Sequence, residues 1–562
     1  VHRSVRLVTF FILVFAFAIP AAPRSIPAMT PTAPGTSTPS QPTTSMSPAR
    51  RLSFAVAACA LALVATAQAG VLPGAAAATP QQDRAVQAAV DRLPAYVRQV
   101  MRTTGVPGVA VAVVHRDRLV YAGGFGVRDV VRGGAVTPST VFQVASVSKP
   151  LGASAVAAAV GRGRVSWDTP VAPLVPGFTV ADPWVTSTVT IGDLYAHRSG
   201  LPGQYGNDLE SLGFDRQTIF ARTRLESLAP FRITYDYSNF GLTAGGVAAA
   251  NAEGTDWNTF ARRNIFGPLG MRRSTFSHAQ LERTTNVARL HQRAGGRWIP
   301  GPVRDADAQA PAGGASSTVL DISRWMRMML AGGTFGGRRV VAQDALAPML
   351  SLQIRTSPSP LGRIGGYGFG MEVSLADGAS VTWSHSGAFT NGAATQVHMV
   401  PDLDLGIVTL TNGWPIGVPE AISATFDDWV RNGRSTQDWL AVTRAAFASY
   451  TTPTYAIDGQ RRPANPAPAR ALDDYVGTYA NAYVGTGQVS RDSRGLVLAL
   501  GPDGGVRIRL THWSGDVFFH NGPGMPAGFY EAVRFGPSGS GPAQSLSTDM
   551  INAGMGVLTR LS

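Results

Sequence analysis

The stretch VFQVASVSKPLGASAVAAAV, residues 141–160, decides how the rest of the chain is read. From Val147 to Val160 it is rich in small apolar residues and reads as a buried helix. Lys149 stands three residues after Ser146, in Ser146-Val147-Ser148-Lys149, at the entry to that helix. Positions i and i+3 share a helix face, so the amine falls beside the hydroxyl. The hydroxyl itself sits at the helix N-terminus, where negative charge is favoured. A serine hydroxyl is a weak nucleophile until an adjacent base takes its proton. The four-residue pattern alone recurs often by chance, but the composition sharpens it. Lys and Arg total 48, and Lys149 is the one lysine of the 562-residue chain. Arg serves wherever a simple positive charge suffices. A lysine can surrender its proton when its surroundings lower its pKa from ~10.4, whereas a guanidinium effectively cannot. Ser146 and Lys149 are therefore the candidate nucleophile and base.

Two further motifs could complete such a site. In Tyr237-Ser238-Asn239 a phenol near an ammonium can be held as phenolate, since the opposite charge lowers its pKa. The Asn239 amide can hydrogen-bond both Lys149 and a substrate carbonyl. In His385-Ser386-Gly387 the glycine lets a substrate backbone come close. The next N–H, from Ala388, can join that of Ser146 as an oxyanion hole. Taken singly, each has a plainer reading: a turn with a half-buried Tyr, and a strand-end His in solvent.

Around these motifs the pattern is mixed α/β. Residues 82–103 read as an amphipathic helix, and Val109–Val114 with Leu119–Val127 as a hairpin turning at His115-Arg116-Asp117. Helices and loops fill 147–280, with Ser317 or Thr318 capping a helix from Leu320 to Leu330. Strand patterns return at Met371–Val373, Ser380–Ser384, Gln396–Met399 and Leu405–Leu410. A sheet assembled from both ends of a segment implies an antiparallel sheet flanked by helices, with an inserted all-helical lobe. The segment 451–470, with Pro463, Pro466 and Pro468, reads as a linker and hinge. From 471 to 562 short strands alternate with Gly-rich turns, which suggests a small antiparallel β-barrel or sandwich.

The order S-x-x-K, Y-x-N, H-x-G resembles the serine β-lactamase and penicillin-binding-protein hydrolases over about residues 83–440. The likeness is greatest to class C β-lactamases, D-alanyl-D-alanine carboxypeptidases, D-aminopeptidases and S-x-x-K esterases. Trp167-Asp168-Thr169-Pro170, His197-Arg198-Ser199-Gly200-Leu201-Pro202, Pro268-Leu269-Gly270-Met271 and Pro311-Ala312-Gly313-Gly314 fit as scaffold landmarks, His197 included. Residues 471–562, with Tyr475-Val476-Gly477-Thr478-Tyr479, resemble the lipocalin-like domain appended to some of these hydrolases. The resemblance implies a hydrolase domain over 83–450 that transfers an acyl group without a cofactor. Ser146 attacks, Lys149 and Tyr237 handle the proton, and the Ser146 and Ala388 amides hold the oxyanion. Asn239, His385, Ser386 and Gly387 then line the substrate. His385 replaces the lysine found in many penicillin-recognising relatives. An imidazole with a pKa of ~6.5 supplies a weaker cation for a carboxylate at neutral pH. That favours a D-amino-acid-directed peptidase or carboxypeptidase over a β-lactamase, with an esterase as alternative. A penicillin sensor or wall-binding protein without turnover is the non-enzymatic alternative. The absence of G-x-S-x-G argues against an ordinary α/β-hydrolase.

The N-terminus carries two export-like segments. Arg3 and Arg6 precede the apolar run Leu7–Ile19, and a Pro/Ser/Thr-rich stretch to Pro48 reads as disordered. Arg50-Arg51, the apolar run Leu52–Ala65 and Ala67-Gln68-Ala69 then have the layout of a signal peptide. Residues 1–69 thus read as leader and extension, with the signal over 46–69 starting at Met46 or, as the alternative, a leader beginning at Val1; both make the protein secreted or part of the cell envelope. Neither run reaches the ~20 apolar residues of a membrane-spanning helix. Cys59, the lone cysteine, lies in the second run beside a loose lipoprotein-like box. The nine His are scattered, with no metal-ligand spacing. Formal net charge is +13, but five of the Arg lie in the leader, leaving +8 spread without a basic run. This excludes nucleic acid as the expected partner and leaves a small molecule or peptide, cell-wall peptide included. The sequence points to no particular oligomeric state.

Overall fold

The computed structural model describes residues 79–562 other than 302, 358–364, 376–379, 449–456, 458, 459, 523–528, 538, 540, 552, 553 and 562. The leader 1–69, with Cys59, lies outside the described residues, as does the first part of the 451–470 linker.

The first helix, α1 (Pro80–Thr104), starts at a capping box between Thr79 and Gln82 and stops at Gly105, whose φ of +69 suits a residue without a Cβ. Val86, Val90, Leu93, Val97 and Val100 recur at helical spacing and are buried, so one stripe of α1 faces the core. That stripe covers an antiparallel nine-stranded sheet. Its strands are β1 (Gly108–His115), β2 (Arg118–Asp129), β3 (Gly133–Ala135), β4 (Ile354–Arg355), β5 (Gly365–Tyr367), β6 (Glu372–Leu375), β7 (Val381–Phe389), β8 (Ala393–Val400) and β9 (Leu405–Thr411). Their spatial order is β4-β5-β6-β7-β8-β9-β1-β2-β3. Sequence-distant β9 and β1 pair in the middle, Val109 opposite Thr411 through His115 opposite Leu405.

Residues 136–353, between β3 and β4, hold the inserted lobe, whose helices include α2 (Ser148–Val160), α3 (Asn207–Ser211), α4 (Asn239–Ala252) and α5 (Val319–Leu330). α6 (Val418–Asn432) follows β9. β1 is buried at all eight positions, which is why it reads as an unbroken Val/Ala run instead of an alternating one. Val109, Val111 and Val113 meet α1 and the Ile422, Phe426 and Val430 side of α6. The other face of the sheet packs on α5. In α2 every residue from Ser148 to Ala159 is buried, so this helix is the lobe's central post, apolar all round.

Beyond the linker a second nine-stranded sheet runs β10 (Gly477–Asn481), β11 (Gly485–Asp492), β12 (Gly495–Leu500), β13 (Val506–Arg509), β14 (Thr511–Ser514), β15 (Val517–His520), β16 (Glu531–Gly536), β17 (Ser545–Thr548) and β18 (Val557–Arg560). Its order, β13-β12-β11-β10-β18-β17-β16-β15-β14, ends on two strands separated in sequence by Leu510 alone, so the barrel is nearly closed. Tyr475, Tyr479, Leu498, Val533, Leu546 and Leu558 fill it. The described linker residues 460–470 are irregular and lie on the barrel: Arg462 donates to the Trp513 carbonyl, and Arg470 pairs with Asp516 at 2.9 Å. Among the described residues no helix is long and apolar enough to cross a membrane.

One strand differs from the sequence reading in a way that matters. The pattern ended it at Ser384, because His-Ser-Gly breaks the run. The chain instead stays extended to Phe389, so His385, Ser386 and Gly387 lie inside β7.

Candidate active site

Ser146 sits in a single 3-10 turn, Ala145–Val147, that feeds directly into α2. Ala145 takes φ +48, a left-handed conformation that costs a non-glycine residue about 1–3 kcal/mol. The strain is held from both sides. Val144 donates its N–H to the Ala315 carbonyl at 3.0 Å, and Ser148 Oγ accepts the Ala315 N–H at 2.8 Å.

Lys149 is fully buried, and its Nζ meets three acceptors: Ser146 Oγ at 3.0 Å, Asn239 Oδ1 at 2.7 Å and the Ala312 carbonyl at 2.9 Å. Burial pushes its pKa well below the ordinary lysine value, because the charged form loses its water. The geometry then fixes where the lone pair goes. Two of the three partners are carbonyl-type oxygens that can only accept, and they take both hydrogens of a neutral amine. The lone pair is left facing the Ser146 hydroxyl. Ser146, Lys149 and Asn239 are thus brought together as the sequence suggested. The Ala312 carbonyl was not foreseen: Pro311-Ala312-Gly313-Gly314 had looked like scaffold.

Tyr237 lays its ring against the same amine, with Nζ 4.5 Å from the ring centroid. The same ring packs on His197, centroids 4.4 Å apart. His197 therefore belongs to the site's supporting layer. Its Nδ1 accepts the Ser238 N–H at 3.1 Å, next to Asn239. Burial, then the charges of Lys149 and His385, hold the His197 pKa well below its usual value.

Gly387 is where β7 touches Ser146. A Cβ there would lie 2.3 Å from the Val144 carbonyl oxygen, 2.4 Å from Thr395 Oγ1 and 3.0 Å from the Ser146 nitrogen. Only glycine allows this approach. β6 pairs with β7 no further than Ser384, whereas β8 pairs through Phe389. From His385 to Phe389, Ala388 included, no described strand occupies the β6-side edge beside Ser146.

His385 and Ser386 need correcting. The sequence reading makes His385 a titratable contact for a carboxylate. In the structure it is buried, its Nδ1 faces the Ser386 carbonyl at 2.7 Å and its Nε2 faces Tyr367 Oη at 2.7 Å. A carbonyl only accepts, so Nδ1 carries the proton and Nε2 accepts from the phenol. Burial, then the Lys149 charge, pushes its pKa down to about 3. His385 is a neutral brace. Successive side chains of a strand point to opposite faces, so Ser386 turns away from Ser146. Its hydroxyl lies near Gln396 Nε2 (3.5 Å) and bonds Glu420 of α6. Only its backbone reaches the open edge.

Comparison with known proteins agrees with this architecture. The Beta-lactamase family profile matches residues 93–427, and a domain of unknown function (DUF3471) matches 461–533. Penicillin-binding protein 4 of Amycolatopsis lactamdurans is 31% identical over 315 residues, covering 55% of this chain and 81% of that protein. Unguisins hydrolase ungD' of Aspergillus campestris is 25% identical over 335 residues, covering 56% of this chain and 60% of its own length. Among solved structures, the octameric penicillin-binding protein homologue from Pyrococcus abyssi superposes with a TM-score of 0.54 at 20% identity, covering 84% of this chain and all of that one. SurE with D-Leu gives 0.50 at 22% identity with the same coverage. With the family profile spanning more than half of its residues, around a serine, a lysine and an asparagine already in contact, the chain belongs to the β-lactamase-like family of serine hydrolases.

Proposed function

We propose that the chain is an exported serine acyl hydrolase that cleaves an amide in a peptide containing D-amino acids. The observation that carries the chemistry is the Lys149 lone pair, aimed at Ser146 by the Asn239 and Ala312 oxygens. Ser146 Oγ attacks the carbonyl carbon as its proton passes to Lys149. The C–N bond then breaks, and the leaving amine takes that proton with Tyr237 as relay. Water attacks the resulting ester and regenerates the serine. The Ser146 and Ala388 amides hold the oxyanion where Gly387 brings β7 against the nucleophile. The substrate backbone extends β7 along its open 385–389 edge.

The substrate class draws its support from several directions. A relative hydrolyses unguisins, and a structural neighbour is solved with D-Leu. His385 is neutral and enclosed, so it offers no cation for a β-lactam carboxylate. Export rests on the basic and apolar pattern of residues 46–69 with its Ala67-Gln68-Ala69 end. The test is turnover of nitrocefin, a p-nitrophenyl ester, a D-alanyl anilide and a D-Ala-D-Ala peptide, with Ser146→Ala as blank and mass spectrometry of the trapped adduct. Turnover of the D-amides with an acyl group on Ser146 is the expected result. Ester turnover without D-amide turnover would refute the peptidase reading, and an adduct that never clears would make the protein a sensor.

A further inference from the structure

Asn239 must present its oxygen, not its nitrogen, to Lys149 if the lone pair is to face Ser146. A chain of amides sets that orientation. Asn239 Nδ2 donates to Asn207 Oδ1 at 3.2 Å, and Asn207 Nδ2 donates to Gln204 Oε1 at 2.9 Å. Each amide N–H thus meets the oxygen of the next amide, and the first oxygen, Asn239 Oδ1, is left facing Lys149. Were Asn239 to turn over, its Nδ2–H would compete with Ser146 for the lone pair.

The residue at the centre of this chain is held by the barrel. Tyr483, in the turn between β10 and β11, is 1% exposed, and its ring packs on Tyr205 with centroids 5.5 Å apart. Its hydroxyl donates to Asp208 Oδ1 at 2.6 Å and accepts the Gly206 N–H at 3.3 Å. Gly206 and Asp208 are the two neighbours of Asn207. Arg222 fixes the turn itself, donating to the Tyr483 carbonyl at 2.6 Å. The barrel also abuts the end of α3, where a Cβ on Gly501 would lie 2.1 Å from the Leu212 carbonyl oxygen.

We propose that Tyr483 is a positioning residue of the Ser146 centre, acting from the C-terminal barrel through Gly206, Asp208 and Asn207 to keep the Asn239 oxygen on Lys149. The inference rests on the acyl-enzyme reading above. It makes the barrel part of the proton-transfer apparatus even for substrates too small to touch it.

The experiment uses the full chain and p-nitrophenyl acetate, with wild type, Tyr483→Phe, Asn207→Ala, the double variant, and Thr486→Ala as an exposed control on the same hairpin. Thermal melts confirm folding, and Asn207→Ala serves alone should Tyr483→Phe not fold. Tyr483→Phe and Asn207→Ala should each lower kcat about ten- to a hundredfold, the scale of a misplaced catalytic group, with little change in KM. The acid limb of kcat/KM should move to lower pH, since an amide N–H on the neutral amine stabilises it against protonation. Adding Tyr483→Phe to Asn207→Ala should cost nothing more. Full ester activity in a folded single variant, or losses that multiply in the double variant, would overturn the proposal. If wild type acquires no acyl group on Ser146, the acyl-enzyme reading falls first and this one with it. If wild type is acylated and the variants keep pace, the Tyr483 role alone falls.

Discussion

Replacing Lys149 by Arg keeps hydrogen-bond donors in place but installs a permanent cation and removes the one lone pair aimed at Ser146. Loss of a proton-transfer group costs about 10²- to 10⁴-fold in rate. At about 1.36 kcal/mol per decade that is roughly 3–5 kcal/mol of transition-state stabilisation. The fold suffers as well. A guanidinium brings five N–H groups into a site whose acceptors for Nζ are Ser146 Oγ, Asn239 Oδ1 and the Ala312 carbonyl. At least two donors are then buried without partners, at about 1–3 kcal/mol each. The assay must therefore separate chemistry from stability: a thermal melt, then the pre-steady-state burst with a p-nitrophenyl ester at a temperature where the variant is folded. The expected result is a lower melting temperature and a burst slowed by at least ~10²-fold. Raising the pH should not restore it, because a guanidinium does not deprotonate in that range. A folded Lys149→Arg protein acylated at near wild-type rate would refute the assignment of Lys149 as base.

Two other outcomes follow from the geometry. The imidazole of His385, with its pKa pushed down to about 3, is neutral at every pH above about 4, so it gains no charge in the working range. The ratio of kcat/KM for an acidic to a neutral substrate should stay flat between about pH 5.5 and 8.5. A ratio that climbs as pH falls would show that His385 opens to the substrate after all. Gly387→Ala places a methyl 2.3 Å from the Val144 oxygen, so β7 must retreat from Ser146. Acylation should fall about 10²-fold, with the melting temperature lowered by the overpacked strand, and near-normal acylation in the folded variant would detach Gly387 from the site.

Legibility from sequence followed the range over which each constraint acts. The Ser146–Lys149 pair was readable because helix geometry joins positions three apart, and because lysine is otherwise absent. Six strands of the first sheet, β1, β2 and β6 to β9, were readable from local pattern and from the uniform apolar run of β1, whereas β3, β4 and β5 are two or three residues long and leave no pattern to read. The Ala312 carbonyl was not, since a backbone oxygen leaves no residue-type signal. β7 was cut short at Ser384 because Gly weakens a strand pattern. Here the glycine serves the approach of the strand to Ser146 instead. The surroundings of His385 come from Tyr367, on a different strand, and from burial that no local pattern reports. The Tyr483–Asp208 contact joins residues 275 apart, where one sequence alone offers no hint of proximity.

The chemistry of the site and the composition of its walls are the same fact seen at two scales. Burial alone drives the Lys149 pKa down, and all three of its hydrogen-bond partners are uncharged: a hydroxyl, an amide and a peptide carbonyl. A carboxylate in any of those places would favour the ammonium and take away the base. Two acids beside β7 are kept from the centre. Ser384 donates to Glu372 at 3.0 Å, and Glu420 bonds Ser386 on the α6 side of β7. Burial pushes both carboxyls up to about 7, well above the ordinary carboxylate range, so each takes up a proton far more readily than an exposed acid. Strand alternation does the sorting: neighbouring residues of β7 send Ser386 to the acidic side and His385 to the catalytic side. A one-residue slip of β7 would exchange those faces and set a hydroxyl where the imidazole braces Tyr367. The tight seat of Gly387 between Val144, Thr395 and Ser146 holds that register in place.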